Sequence, residues 1–111
     1  MQSEHLEQAL FVQFMKRSYP EHRVFAIPNG GMRSKSQAMA LKVEGVSAGV
    51  PDLFIPSLKL FIEMKKEKGG KVSPEQKDWL EYLNSCGYVA LVANGCEEAK
   101  NIFHKVLAQD K

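Results

Sequence analysis

The sequence has only two cysteines, Cys86 and Cys96, and they stand ten positions apart with no histidine at zinc-ligand spacing. Without a C-x-x-C pair or a nearby histidine, a structural zinc site is excluded as the basis of the fold. The three histidines are dispersed along the chain, so none forms a cluster typical of a metal site or an activated nucleophile. We therefore predict that both thiols are reduced and packed.

The sequence also lacks a long hydrophobic run and a strong excess of charge. No apolar stretch approaches the roughly 20 residues of a membrane span, and the acidic start does not resemble a signal peptide. We therefore expect an intracellular protein of phage or bacterial origin with no membrane partner. Because 15 basic and 13 acidic residues leave a net charge of only +2, the placement of charge must identify any polyanionic partner.

The 111 residues, of which 44% are hydrophobic and 25% charged, suit one small folded domain spanning 1–111. Hydrophobic periodicity, capping residues and Gly/Pro breakers predict the element order α-β-α-β-β-α-β-α. The predicted helices are 3–18, 34 or 36–42, 73–86 and 96–108, and the predicted strands are 22–27, 52–55, 58–65 and 88–93. Helices interleaved with few strands predict an α/β fold with a mixed central sheet flanked by helices.

The most informative feature is an acidic residue at the head of the second predicted strand and an acidic and a basic residue inside the third. Asp52 follows Pro51, whereas Glu63 and Lys65 are two positions apart. The short connection between these strands predicts a hairpin, and the period of two places Glu63 and Lys65 on one face. The sequence therefore predicts that these three side chains lie together.

This grouping is typical of a divalent metal site. Asp52 and Glu63 offer the hard oxygen ligands that Mg²⁺ or Mn²⁺ prefers, and the Met64 carbonyl offers a third oxygen. Lys65 would orient a water molecule or stabilise negative charge on a reacting phosphate. The residues favour metal-dependent phosphodiester hydrolysis.

A structural alternative remains open, because an E-x-K triplet arises by chance about once in a hundred residues. Glu63 and Lys65 could be neighbours on the solvated face of an edge strand, with Asp52 a turn residue after Pro51. The position of Glu63 favours the functional interpretation: it follows an apolar run, where a carboxylate is unfavourable to bury without a partner or a metal.

Several spaced motifs together resemble the PD-(D/E)xK nuclease superfamily, and more narrowly the virus-type replication-repair nuclease (VRR-NUC) domain. The motifs are Glu4 to Gln8, Ile27-Pro28-Asn29-Gly30-Gly31 with Arg33, Gly49-Val50-Pro51-Asp52-Leu53, Glu63-Met64-Lys65, Ser73-Pro74-Glu75-Gln76 and Gly87-Tyr88. The resemblance covers nearly the whole chain and implies a restriction-endonuclease-like fold that cleaves DNA with a metal ion.

The resemblance also implies roles for individual residues. Asp52 and Glu63 would be metal ligands and Lys65 the catalytic lysine, with a first-helix glutamate and Gln76 beside the metal. Glu4 and Glu7 both lie near the position of the first-helix glutamate in the family motif, and we favour Glu7. The alternative is that Glu7 is an exposed helix carboxylate. Gln76 is also placed to complete a capping box at the start of its helix, and the two roles are compatible.

Basic residues fall in the loops and the short helix that border the predicted site. They are Arg33, Lys35, Lys42, Lys66, Lys68 and Lys71. Such residues bind DNA phosphates without reading sequence, although solvated surface is the common fate of lysines. Arg33 is favoured because the glycines before it allow the backbone to approach a phosphate closely.

We predict a structure-selective DNA endonuclease acting on branched DNA, such as four-way junctions. A chain this small has little surface for reading bases, so recognition of shape is favoured, and a homodimer would supply two symmetric sites. The apolar faces of the first and last helices could form the dimer interface or the core. The alternatives are a restriction-type or end-processing nuclease, and a nucleic-acid-binding domain without catalysis.

Overall fold

The computed structural model describes residues 2–28 and 34–110, and within them the predicted element order is confirmed. These residues form four α-helices, four strands and one short 3₁₀ turn. The bounds are α1 Glu4–Ser18, β1 Phe25–Ala26, α2 Lys35–Val43, β2 Leu53–Ile55, the 3₁₀ turn Pro56–Leu58, β3 Leu60–Lys65, α3 Pro74–Ser85, β4 Val89–Asn94 and α4 Cys96–Gln109. Within the described ranges, each helix is too short or too polar to cross a membrane.

The four strands form one mixed sheet in the order β1-β2-β3-β4. β1, β2 and β3 pair antiparallel, whereas β3 and β4 are parallel and connected through α3. The predicted hairpin is β2 and β3, in which Leu53 pairs with Ile62. Lys59 ends the 3₁₀ turn in a left-handed conformation with φ 51°, and its N–H donates to the Pro56 carbonyl at 3.1 Å. Continuing the register by one position places Asp52 opposite Glu63.

The strand predicted over 22–27 is shorter in the structure, where only Phe25–Ala26 pair with β2. The chain turns after Pro20, and the His22 N–H donates to the Tyr19 carbonyl at 2.9 Å. Because residues 20–22 form this turn, the strand begins only after it, and β-forming side chains alone do not extend it.

The core lies between one face of the sheet and the pair α1 and α4. Its buried side chains are Phe11, Met15, Leu53, Ile55, Leu58, Leu60, Ile62, Met64, Ala93, Cys96, Ala99 and Phe103. The inner faces of the first and last helices therefore belong to the core. α3 packs against β4 and reaches Glu63, whose side chain alternates with those of Ile62 and Met64.

Candidate metal centre

The β2–β3 hairpin places two carboxylates side by side. The Met64 N–H donates to Asp52 Oδ2 at 2.8 Å, which ties the head of β2 to β3. Glu63 is only 1% exposed although it carries an ionisable group. The hairpin thus holds Asp52 partly buried and Glu63 buried on the same face, while a role for the Met64 carbonyl as a ligand stays a prediction.

Glu4 supplies the third carboxylate. One carboxylate oxygen from each of Glu4, Asp52 and Glu63 lies within 4.8 Å of the others. Glu4 is exposed in the first turn of α1, whose start is fixed by Ser3 accepting a hydrogen bond from the Leu6 N–H at 3.1 Å. Three hard oxygen donors from three elements form a donor set of the kind that Mg²⁺ or Mn²⁺ prefers.

The sequence analysis favoured Glu7 over Glu4 as the first-helix acid of the site. Among the described residues, however, the carboxylate cluster contains Glu4 and not Glu7. Its carboxylate is buried, and Oε1 accepts a hydrogen bond from the Cys96 N–H at 2.8 Å. Glu7 shares a buried helical stripe with Phe11 and Met15, four and eight residues further on. That spacing is the signal in the sequence that Glu7 points into the protein, whereas Glu4 lies at the open end of the helix.

Gln76 completes the capping box that the sequence predicted and also contacts the carboxylate cluster, while its role beside a metal stays a prediction. Its backbone N–H donates to Ser73 Oγ at 3.2 Å and its Oε1 accepts from the Ser73 N–H at 2.9 Å, which completes a capping box at the start of α3. Its Nε2 donates to Glu63 Oε2 at 3.3 Å. The cap of α3 thereby fixes the amide that holds one oxygen of the buried glutamate.

Lys65 lies on the same face of β3 as Glu63. Its Nζ is 3.7 Å from Glu63 Oε2, and the residue is only 7% exposed. Gly70 packs directly on its stem, because a Cβ added there would lie 2.9 Å from Lys65 Cβ. A side chain at Gly70 would displace the lysine, so the loop after β3 helps to confine the ammonium group to the site.

The electrostatics of Glu63 fit a bound cation. Burial raises the pKa of Glu63 to about 8, the hydrogen bond and negative charge of Asp52 and the charge of Glu4 add to the increase, and the Lys65 ammonium opposes it. Glu63 Oε1 is buried and has no hydrogen-bond partner among the described residues. Adjacent carboxylate acceptors require a proton or a cation between them, so the residues present fit a divalent metal ion.

The metal-free protein should lose stability as the pH rises. The pKa of Glu63 is about 8 in the folded protein against 4.5 for an unperturbed glutamate, so between these values the folded state holds a proton that the unfolded state lacks. Stability therefore falls across this window. We expect Glu63→Gln to reduce this fall, measured by thermal unfolding in EDTA at pH 5, 6.5 and 8. The exposed Glu81→Gln is the control, and an identical pH dependence in all three proteins would contradict the assignment.

The lysines predicted to bind DNA lie on two segments. Lys66 is half-buried, and Lys68 and Lys71 are exposed in the loop that follows β3. Lys35 and Lys42 are exposed on α2, and Arg33 lies outside the described residues. Their contacts with DNA stay predictions.

Gly49 supports the site from outside the cluster, although the sequence analysis assigns it no individual role. It has φ +94°, and a Cβ added there would lie 2.6 Å from the carbonyl carbon and oxygen of Glu75 and 2.9 Å from the Gln76 nitrogen. The glycine lets the segment before Asp52 pack on the backbone of the first turn of α3. A glycine-rich segment predicts irregular structure. The contact between Gly49 and α3, however, joins distant positions of the chain, so no local sequence pattern predicts it.

Comparison with known proteins identifies a family and a solved structure to which this chain is similar. The family described as the VRR-NUC domain matches residues 1–97. A solved structure named "VRR_NUC domain protein" superposes with a TM-score of 0.81 at 25% sequence identity, covering 97% of this chain and 90% of that chain. A comparison with curated proteins found no match. The match spans every element that contributes to the carboxylate cluster.

Proposed function

This chain belongs to the VRR-NUC family, a match that indicates a nuclease-type domain, and we propose that it is a Mg²⁺- or Mn²⁺-dependent endonuclease of branched DNA. The observation that carries the proposal is the cluster of Glu4, Asp52 and Glu63 beside the confined Lys65. The carboxylate of Glu63 is buried, has a strongly raised pKa and is contacted by a lysine and an amide, and such perturbed groups cluster at functional sites.

The metal would be held by Glu4, Asp52 and Glu63. A divalent ion bound there supplies Lewis-acid polarisation of the scissile phosphate and neutralises charge that develops on it. The carboxylates come from α1, from the head of β2 and from β3, so each is positioned by a different element. Gln76 fixes the orientation of Glu63 through Oε2.

Lys65 would act on the reacting groups. Its ammonium has three donors and no acceptor, so it can hold the attacking water or a phosphate oxygen while it remains near Glu63. The residue is nearly excluded from solvent, which strengthens its interaction with a charge that develops in the transition state. Lys68 and Lys71 are exposed in the loop after β3, and we expect them to contact DNA phosphates near the cleaved bond.

Two observations support a homodimer that recognises branched DNA. The accessible surface is 7390 Å², and a specific DNA interface commonly buries about 1,000–2,500 Å² of protein, so we expect one copy to bind one duplex arm and a second copy to bind another. In addition, α2 has no buried residue, and its Met39 and Val43, one helical turn apart, are 63% and 81% exposed. A nine-residue helix gains little stability on its own, so a second copy covering this face would account for it.

The deciding experiment is a cleavage panel of linear duplex, flap, single-stranded and immobile four-way junction DNA with Mg²⁺ or Mn²⁺. We expect metal-dependent cleavage with the junction cut fastest, and light scattering at micromolar concentration should give the mass of a dimer. Calorimetric titration with Mn²⁺ should show binding that is largely lost in Asp52→Asn and Glu63→Gln and retained in the exposed Glu81→Gln.

The outcomes separate the parts of the proposal. A protein that binds no metal and cuts none of the substrates would favour the alternative of a nucleic-acid-binding domain without catalysis. A strict monomer that cuts linear duplex as fast as the junction would retain the nuclease assignment and exclude the dimer and the junction preference. Unchanged Mn²⁺ titrations in both carboxylate variants would exclude the shared metal site.

A further inference from the structure

A buried carboxylate joins the two terminal helices beside the metal centre. α4 begins after Gly95, which has no side chain to cap it. Glu7, 89 positions earlier on α1, takes that role because its Oε1 accepts the Cys96 N–H at 2.8 Å, and the residue is only 5% exposed. The first N–H groups of a helix lack partners within the helix and carry partial positive charge, so an anionic acceptor stabilises this end.

The backbone at this junction is also bound to the strand that carries the lysine. The Gly95 N–H donates to the Lys65 carbonyl at 2.8 Å, and Asn94 pairs with Lys65 in the parallel ladder. Two successive N–H groups therefore have different partners: Gly95 is bonded to Lys65 on β3, and Cys96 is bonded to Glu7 on α1.

Glu7 and Glu4 are three residues apart on α1, so their side chains lie on nearly the same side of the helix. Any rotation or shift of the first turns of α1 that breaks the bond to Cys96 would also displace Glu4 from Asp52 and Glu63. Phe11 and Met15 hold the rest of the helix by apolar contacts, which tolerate small sliding movements better than a buried hydrogen bond does.

We propose that Glu7 is a positioning residue that fixes Glu4 relative to Lys65 through the β4–α4 junction without touching the metal or the DNA. This inference rests on the proposed function, because it assigns Glu7 to the support of the same site. Gly95 has φ +96°, and a Cβ added there would lie in ordinary contact distance of Glu7, 3.5 Å from its Oε1. The Glu7 carboxylate therefore lies directly beside the backbone at the start of α4.

Three variants test this role. Glu7→Gln keeps an acceptor oxygen for the Cys96 N–H, and Glu7→Ala removes it. Met15→Ala is the matched control, since it removes a buried side chain from the same helix two turns farther from Glu4. Mn²⁺ affinity should fall about tenfold or more in Glu7→Ala, which is the usual effect of losing an outer partner of a metal ligand. It should stay within about threefold of the unaltered protein in Glu7→Gln and in folded Met15→Ala, which keep the bond to Cys96.

Hydrogen exchange of the Cys96 amide gives a readout that does not depend on activity. We expect its protection to be lost in Glu7→Ala and retained in both Glu7→Gln and Met15→Ala. Comparison of kcat and KM should show the Glu7→Ala defect in kcat at saturating DNA and partial recovery at high Mn²⁺, because the ligands remain but are misplaced.

Each contrary result has a distinct meaning. If Glu7→Gln loses Mn²⁺ affinity as completely as Asp52→Asn, Glu7 is itself a ligand and the positioning role is wrong. If Glu7→Ala binds Mn²⁺ as tightly as Met15→Ala, Glu7 only stabilises the fold. If the unaltered protein binds no Mn²⁺, the proposed function fails and the positioning role fails with it. If the unaltered protein binds Mn²⁺ normally and only the predictions for Glu7 fail, the positioning role is wrong and the proposed function stands.

Discussion

Lys65→Ala is expected to lower kcat for DNA cleavage by about two to four orders of magnitude, the range typical of groups that act directly on the transition state. Its Nζ lies 3.7 Å from Glu63 Oε2 beside the carboxylate cluster, and its stem occupies the space under Gly70. Folding and DNA binding should be largely retained, because the side chain lies outside the hydrophobic core. Single-turnover cleavage measured with excess protein isolates this effect from DNA affinity.

The control is Lys105→Ala, which removes an exposed lysine from α4. DNA affinity measured by fluorescence anisotropy in Ca²⁺ should be similar in both variants, and only Lys65→Ala should lose turnover. Full turnover in Lys65→Ala would exclude the lysine from the chemistry, and equal losses in the two variants would indicate a general charge effect.

Gly49→Ala is expected to damage both stability and the site. A left-handed backbone conformation disfavours alanine by about 1–2 kcal/mol, and overpacking adds about 1–3 kcal/mol, because the new Cβ would meet the Glu75 carbonyl at 2.6 Å. Movement of the first turn of α3 would carry Gln76 away from Glu63. We therefore expect a lower midpoint in chemical denaturation and weaker Mn²⁺ binding in the fraction that stays folded.

Gly87→Ala separates these two effects. Gly87 has nearly the same backbone conformation, with φ +93°, but a Cβ there would have no atom within 4 Å. Only the conformational loss of about 1–2 kcal/mol applies to it, and Mn²⁺ binding should be unchanged. Equal stability losses at Gly49 and Gly87 would show that the contact with α3 contributes nothing.

The sequence was sufficient where structure depends on local pattern. The alternation of Leu60, Ile62 and Met64 with Glu63 and Lys65 predicted the faces of β3, because side-chain direction in a strand follows from position alone. The capping box at the start of α3 was predicted for a similar reason, since its partners are three residues apart. The short connection before β3 predicted its pairing with β2.

The sequence was insufficient where a contact joins distant segments. The spacing of Glu7 with Phe11 and Met15 indicates that Glu7 points inwards, but no local rule indicates its partner, the Cys96 N–H 89 positions away. The role of Gly49 depends on the backbone of Glu75, which the chain reaches only through two strands of the sheet. Lysines on exposed loops leave no internal contact that could distinguish DNA binding from ordinary solvation.

The 3₁₀ turn Pro56–Leu58 acts as a spacer for the metal centre. Together with Lys59 in its left-handed conformation, it sets which residue of β2 lies opposite which residue of β3. A slip of one residue would turn Asp52 towards the hydrophobic core and away from Glu63 and Glu4, since the two faces of a strand alternate. A complete set of carboxylates therefore depends on the number of residues in this connection as strictly as it depends on the acidic residues themselves. None of the side chains of the connection belongs to the cluster.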